Sequence, residues 1–258
     1  MNPFMTRRFR VLLLLLCLCQ VRGGLADSLP VVRLATLEWP PYNSETLPQG
    51  GVNTALVRAA FAAAGYRLEV ETFPWSAAVY KGLHDARFDG YFPEYLSPAA
   101  RRDCYLSERA GESPVVLAKR KDSQYPPVRG VSDLARYRIG VVQGYNNTEA
   151  FDANVARGVQ KVDVALSDEQ NLDKLAHGRV ALIIIDRNVM TWLLANSPRL
   201  RGQEALLDSL RPPLQVQGLY ICFKRDAQGQ TLADSFSGGL RHVDVDDFTR
   251  RYLSALHK

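Results

Sequence analysis

The residues in this chain that can do recognition chemistry are acids and aromatic rings placed where elements end. Glu94 and Tyr95 follow Phe88-Asp89-Gly90-Tyr91-Phe92, which leads into a strand. That places them at the C-terminal edge of a sheet, where ligands of open α/β sheets bind. The plain alternative for Glu94 is a solvated side chain. Asp186 closes the continuously apolar run Val180–Ile185, where an acid either meets a ligand or caps the next helix. Gly144-Tyr145-Asn146-Asn147-Thr148 turns into a helix. Free N–H groups at such a start hold anions, unless the turn is an ordinary capped one. Trp39 and Trp75 offer ring faces for a cation or a flat group, or else pack beneath their own segments. Glu38, next to Trp39, points either into a cleft or away from it.

Catalytic and metal chemistry leave little trace. His84, His177, His242 and His257 show no metal-ligand spacing and read as surface residues. No Ser/His/Asp constellation is readable, and no metal or cofactor is expected.

The elements that must position these residues alternate between strand and helix. Val31–Thr36 reads as a strand, broken by Trp39-Pro40-Pro41-Tyr42. The stripe Leu56, Ala60, Phe61, Ala64 predicts a helix from about Asn53, stopped at Gly65. Leu68–Phe73 reads as a strand and Trp75–Leu83 as a helix. The grammar then repeats. Arg138–Val142 is a strand, followed by a helix to about Val155 and a short strand Val162–Ala165. Ser167-Asp168-Glu169-Gln170 has the capping-box pattern, with Leu172, Leu175 and Ala176 facing inward and Gly178 ending the helix. Val180–Ile185 reads as a strand covered on both faces. Asp244–Leu256 reads as a final amphipathic helix, and Lys119–Gly130, with Pro126-Pro127, as a linker. Strands alternating with helices imply parallel sheets.

A late run, Tyr220–Lys224, resembles the earlier Pro114–Lys119. Two such runs bracketing a middle unit imply a two-strand hinge. The expected organisation is therefore a first lobe of residues 27–119 plus 215–258 and a second lobe of residues 120–214.

Residues 1–26 read as a cleavable export signal, with Arg7, Arg8 and Arg10, an apolar Val11–Cys19, and Gly24-Leu25-Ala26 before the cut. The apolar run is short for a membrane span. The chain carries 32 Lys and Arg against 27 Asp and Glu, a net charge of +5, but four arginines lie in the signal. What remains is close to neutral, without the electrostatic footprint of a nucleic-acid binder. Of four cysteines only Cys104 and Cys222 follow the signal, and an exported pair can form a disulfide.

Taken in order, these segments resemble the periplasmic solute-binding proteins of the amino-acid ABC transporter type, extracellular solute-binding family 3. The resemblance rests on Ser167–Ile185, Trp39-Pro40-Pro41-Tyr42, Phe73-Pro74-Trp75, Ser97-Pro98 before Leu106-Ser107, and Ile139–Tyr145. It implies a two-lobed Venus-flytrap fold (α/β, periplasmic binding protein type II), each lobe a mostly parallel sheet flanked by helices. It implies a periplasmic monomer that closes on a small polar, amine-bearing solute and hands it to a membrane ABC permease. The alternatives are an enzyme on the same fold, resembling cyclohexadienyl dehydratase, and a ligand-sensing component. Within the resemblance Trp39 matches the ring on which ligands stack, Tyr42 reads as scaffold, and Asp186 stands where a ligand ammonium is held. The strand around Leu106 would lie beside the strand holding Cys222, bringing Cys104 and Cys222 together. One position departs from the family. A gapless match puts Ala100 where an arginine grips the ligand's carboxylate, and Arg101 reaches that role only through a one-residue shift, about 100° around a helix. The candidate ligand contacts are thus Trp39, Trp75, Glu94, Tyr95, Arg101, Tyr145, Asn146, Thr148 and Asp186.

Overall fold

A computed structural model describes residues 29–256, so the expected export signal over residues 1–26 lies outside the described part. In the first lobe β1 (Val31–Thr36) pairs in parallel with β2 (Arg67–Thr72) and β3 (Gly90–Glu94). The crossovers are α1 (Val52–Ala63) and α2 (Trp75–His84). After a short α3 (Pro98–Asp103), β4 (Cys104–Leu106) takes the far edge. Between β3 and β4 lies a strand from the end of the chain, β11 (Tyr220–Lys224), antiparallel to both. The strand order is β2-β1-β3-β11-β4.

The second sheet runs in the order β10 (Gln215–Gly218), β5 (Glu112–Arg120), β8 (Leu182–Asp186), β6 (Ile139–Val142), β7 (Val162–Ala165), with β9 (Leu207–Ser209) also on β5. Its parallel part is β6, β7 and β8. These strands are joined by α4 (Glu149–Ala156) and α5 (Asp168–Ala176). β5 runs antiparallel to β8, and β10 antiparallel to β5. Both sheets are therefore mixed, where the sequence alternation implied mostly parallel ones. The antiparallel pairs involve strands flanking the crossings, which the local pattern cannot distinguish from crossover strands.

Sheet membership also moves the crossing points. Pro114–Lys119 belongs to the second sheet and Tyr220–Lys224 to the first, so these two runs do not pair with each other. The chain crosses at residues 107–111 and again at Leu219. The crossings are tied to each other by Ala110 N–H donating to Leu219 O at 2.7 Å and Leu219 N–H to Gly111 O at 3.0 Å. The stretch after Lys119 lies within the second lobe, following β5, and is not the link between lobes.

The apolar pattern explains the layers. On one face of the first sheet, Leu34, Phe92 and Ile221 pack against Leu56 and Phe61 of α1 and Phe236 of α7 (Ala227–Leu240). The other face buries Phe88 and Tyr91 against Ala78 of α2. In the second sheet alternate residues of one strand enter different cores. Ile183 and Ile185 meet Leu172 and Leu175 of α5 and Met190 of α6 (Arg187–Asn196), while Leu182 and Ile184 meet Phe151 of α4. That is why β8 is apolar at every position before Asp186. The final helix, α8 (Val245–Leu256), packs Phe248 onto the first lobe's core. Cys104 and Cys222 form a disulfide with a Cα–Cα distance of 5.1 Å, linking neighbouring strands diagonally, with Cys104 opposite Lys224 and Cys222 opposite Leu106.

Candidate ligand cleft

The cleft lies where strands of both sheets end. The first lobe supplies the segment after β1 (Leu37, Trp39, Tyr42), the end of β3 (Glu94, Tyr95) and the start of α2 (Trp75). The second supplies the turn after β6 (Tyr145, Asn146), the start of α5 (Asp168) and the junction of β8 with α6 (Asp186, Asn188, Val189). The lobes touch. Trp39 Nε1 donates to Asp168 Oδ2 at 3.2 Å, Trp75 Nε1 to Gly144 O at 2.9 Å, Asn146 Nδ2 to Glu94 Oε1 at 3.0 Å, and Tyr42 OH to Asp186 Oδ2 at 3.0 Å. Val189 joins Leu37, Trp39 and Tyr42 in a buried apolar cluster.

Inside this contact is a cavity of about 40 Å³. Its walls are the rings of Trp39, Trp75, Tyr95 and Tyr145, its apolar remainder is Leu37 and Pro93, and its polar end is Glu94 with Asn146. Outside it, sharing Trp39, Trp75 and Tyr145, a mouth of about 780 Å³ opens to solvent. The mouth carries Glu38, Glu45, Asp168 and Glu169, and apolar Phe73, Leu166 and Trp192. Among the described residues no lysine, arginine or histidine lines either space.

Three carboxylates are nearly sealed: Glu94 is 5% exposed, Asp168 5% and Asp186 4%. They differ in partners. Glu94 accepts from Tyr95 N at 2.7 Å, from Asn146, and from Tyr91 OH at 2.8 Å. Burial raises its pKa, and these three donors oppose the rise. Asp186 accepts from Val189 N at 2.8 Å, capping α6, and from Tyr42 and Ser113 Oγ, the latter at 2.5 Å. Because the Ser113 hydroxyl proton goes to Asp186, Tyr95 OH donates in turn to Ser113, at 2.6 Å. Burial pushes Asp186 up to about 6 against these hydrogen bonds. Asp168 accepts only the Trp39 indole N–H among the described residues. Burial, reinforced by the charge of Asp186, pushes it up to about 7.

Trp39, Trp75, Glu94, Tyr95, Tyr145 and Asn146 therefore converge on one cavity. Asp186 stands behind it, beyond Tyr42 and Ser113, and does the helix capping that was its alternative reading. Thr148 also caps, accepting Phe151 N at 3.3 Å, and Asp152 accepts Asn147 N, so those N–H groups at the start of α4 are already taken. Ala100 is on the buried side of α3, packed into the first lobe's core, while Arg101 is exposed on the same helix and outside the cleft. The sequence reading missed Asp168, Ser113 and Asn188. Asp168 was visible only as the first residue after a capping serine, and its opposition to Trp39, 129 residues away, has no local signature.

Neither a family model nor a curated protein matches this chain. Solved structures do. A histidine kinase sensor domain with similarity to periplasmic binding proteins superposes with a TM-score of 0.71 at 19% identity, covering 89% of this chain and 96% of that one. The chain has the two-lobed periplasmic binding protein fold. An ancestral arginine-binding protein bound to arginine gives a TM-score of 0.69 at 15% identity, covering 87% of this chain and 97% of that one. An ancestral amino acid-binding protein, precursor of cyclohexadienyl dehydratase, gives 0.65 at 14% identity, covering 88% and 95%. The neighbours align along nearly their whole length, so both lobes and their order are those of this fold.

Proposed function

We propose that this chain binds a small cationic, amine-bearing solute between its lobes, after export to the periplasm, and delivers it to a membrane ABC permease. The observation that carries the reading is the charge of the cleft. Among the described residues five carboxylates line the inner cavity and its mouth, Glu38, Glu45, Glu94, Asp168 and Glu169, and no cationic side chain does. Asp168 is buried with a single indole N–H as its hydrogen-bond partner, and a ligand cation supplies the countercharge it lacks. The loss of the family arginine at Ala100, with Arg101 turned to solvent, supports a ligand that needs no carboxylate clamp. The neighbours that bind amino acids, arginine among them, support the use of this cleft for small nitrogenous solutes.

Closure follows from the same groups. Trp39–Asp168 and Asn146–Glu94 join residues of opposite lobes, so a cation between the acids draws the lobes together over it. The catalytic alternative, a dehydratase, has Asp168 as a ready proton donor with its pKa near 7. Its dicarboxylate substrate prephenate would meet Glu94 and Asp168 with no arginine or lysine to offset them, which favours the binding reading.

Calorimetry with a panel of mono- and diamines, arginine, glutamate and prephenate tests the proposal. Amines should bind, and Asp168→Asn should weaken them. Tight binding of glutamate with no amine bound, or turnover of prephenate, would refute it. N-terminal sequencing of the exported protein should begin at or near Asp27.

A further inference from the structure

The inner cavity carries information about the kind of cation, and this step rests on the cationic reading above. Its four rings form a box. Trp39 and Tyr95 meet edge to face at 6.3 Å and 70°, and Trp75 and Tyr145 at 6.2 Å and 86°. A box of ring faces attracts positive charge without accepting conventional hydrogen bonds.

The carboxylate at the box is already largely engaged, and the open acceptors beside it are Tyr145 OH and Asn146 Oδ1. Glu94 closes one end, with one oxygen accepting Tyr95 N and Asn146 Nδ2 and the other accepting Tyr91 OH. Three of its roughly four acceptor sites are used, so it offers charge more than hydrogen-bonding capacity. Gly144 O, a nearby carbonyl, already accepts Trp75 Nε1. A primary ammonium brings three N–H donors, and pairing all of them here would take the last Glu94 site, Asn146 Oδ1 and Tyr145 OH together, in a cavity whose walls are otherwise rings. A methylated ammonium spreads its charge over N-methyl groups that pack on rings. Beyond the box, the acids Glu38, Asp168 and Glu169 repel a carboxylate on the ligand's outer part.

We propose that the cavity of Trp39, Trp75, Tyr95, Tyr145 and Glu94 receives the head of a methylated ammonium ion, tertiary or quaternary, on a ligand without a carboxylate.

The test is calorimetry of the purified protein with choline, dimethylethanolamine, ethanolamine and glycine betaine. These probes share a short backbone and differ in N-methylation or in the carboxylate. Affinity should rise about tenfold or more from ethanolamine to choline, the scale of a desolvated cation–ring contact, and choline should exceed betaine. Trp75→Phe should keep the choline preference and Trp75→Leu should erase it, with melting curves showing that both variants are folded. Ethanolamine or putrescine binding as tightly as choline would overturn the methylated-head assignment and leave the cationic reading standing. Betaine binding best would overturn the exclusion of a carboxylate. Failure of every methylated amine would overturn the assignment, and glutamate binding alone would overturn both readings.

Discussion

The two lobes share a strand–helix grammar but contribute differently to the cleft. The first lobe brings Trp39, Trp75 and Tyr95, together with Glu94, and is stapled by Cys104–Cys222. The second brings Asp168, Asp186, Tyr145 and Asn146, and has no disulfide among its described residues. The first lobe is built to hold a flat, rigid surface in place. The second is built around acids whose charge changes near neutral pH. A rigid aromatic wall faces a titrating one, so under the proposed function the second lobe gains most from whatever neutralises it.

Breaking the staple gives the largest expected effect. The bridge spans 118 residues and ties the returning strand β11 to the edge strand β4. Replacing Cys104 and Cys222 by alanine should cost about 2–4 kcal/mol of stability, read as a lower denaturant midpoint. Ligand affinity in the folded protein should change little, because neither cysteine lines the cleft. A large affinity loss would show that the first lobe's rigidity and its recognition cannot be separated.

Next comes the charge inside the box. Glu94→Gln should weaken cation binding by roughly 100-fold, near the value of a hydrogen-bonded charged partner, and calorimetry measures it directly. Asp168→Asn should weaken it as well, through the second lobe. If only one matters, one lobe alone reads the charge.

The titrating wall sets a pH dependence whose sign is fixed. Asp168 at about 7 and Asp186 at about 6 both lie above the ordinary aspartate value of 3.8, so the folded protein holds more protons than the unfolded chain between roughly pH 4 and pH 7. Stability of the ligand-free protein from these groups is fully present below that window and is lost as pH rises through it. Thermal scans should therefore show a lower Tm at pH 7.5 than at pH 5. Cation affinity should move the opposite way, rising with pH as the acids ionise. An Asp168→Asn variant should show a smaller loss.

Smaller still is the turn that lets the lobes approach. Gly144 has φ +77°, and an added Cβ would lie 3.0 Å from Ser76 Oγ and 3.5 Å from Trp75 Cδ1 of the other lobe. Gly144→Ala should cost about 1 kcal/mol from the left-handed backbone alone, and should favour the open form, visible as a larger radius in solution scattering. The smallest effect belongs to Arg101→Ala. Its side chain is exposed on α3 and outside the cleft, so affinity should stay within about 0.5 kcal/mol. A large loss there would restore a carboxylate clamp to the first lobe.

Much of this was legible in the chain because it depends on local periodicity. The strand Val162–Ala165 has the expected ends, and the helices at Val52–Ala63 and Trp75–His84 lie within a residue of theirs. Ser167 caps α5 as its pattern implies, although Gln170 reaches Leu166 N where a capping box would return it to Ser167. Six of the nine candidate contacts line one cavity, because strand ends in this topology point to the same place.

Tertiary structure alone decided which residues oppose one another. The sequence by itself determined two repeats of strand and helix, a return to the first sheet, an aromatic-rich first lobe and an acid at the end of β8. These follow from backbone period and burial, which each segment carries within itself. That Pro114–Lys119 joins the second sheet depends on hydrogen bonds to a strand nearly 70 residues later. That Asp168 faces Trp39, or that Asp186 is saturated by Tyr42 and Ser113, depends on contacts 129, 144 and 73 residues apart. A carboxylate's pKa is set by its desolvation and its neighbours, and both come into being only when the lobes meet.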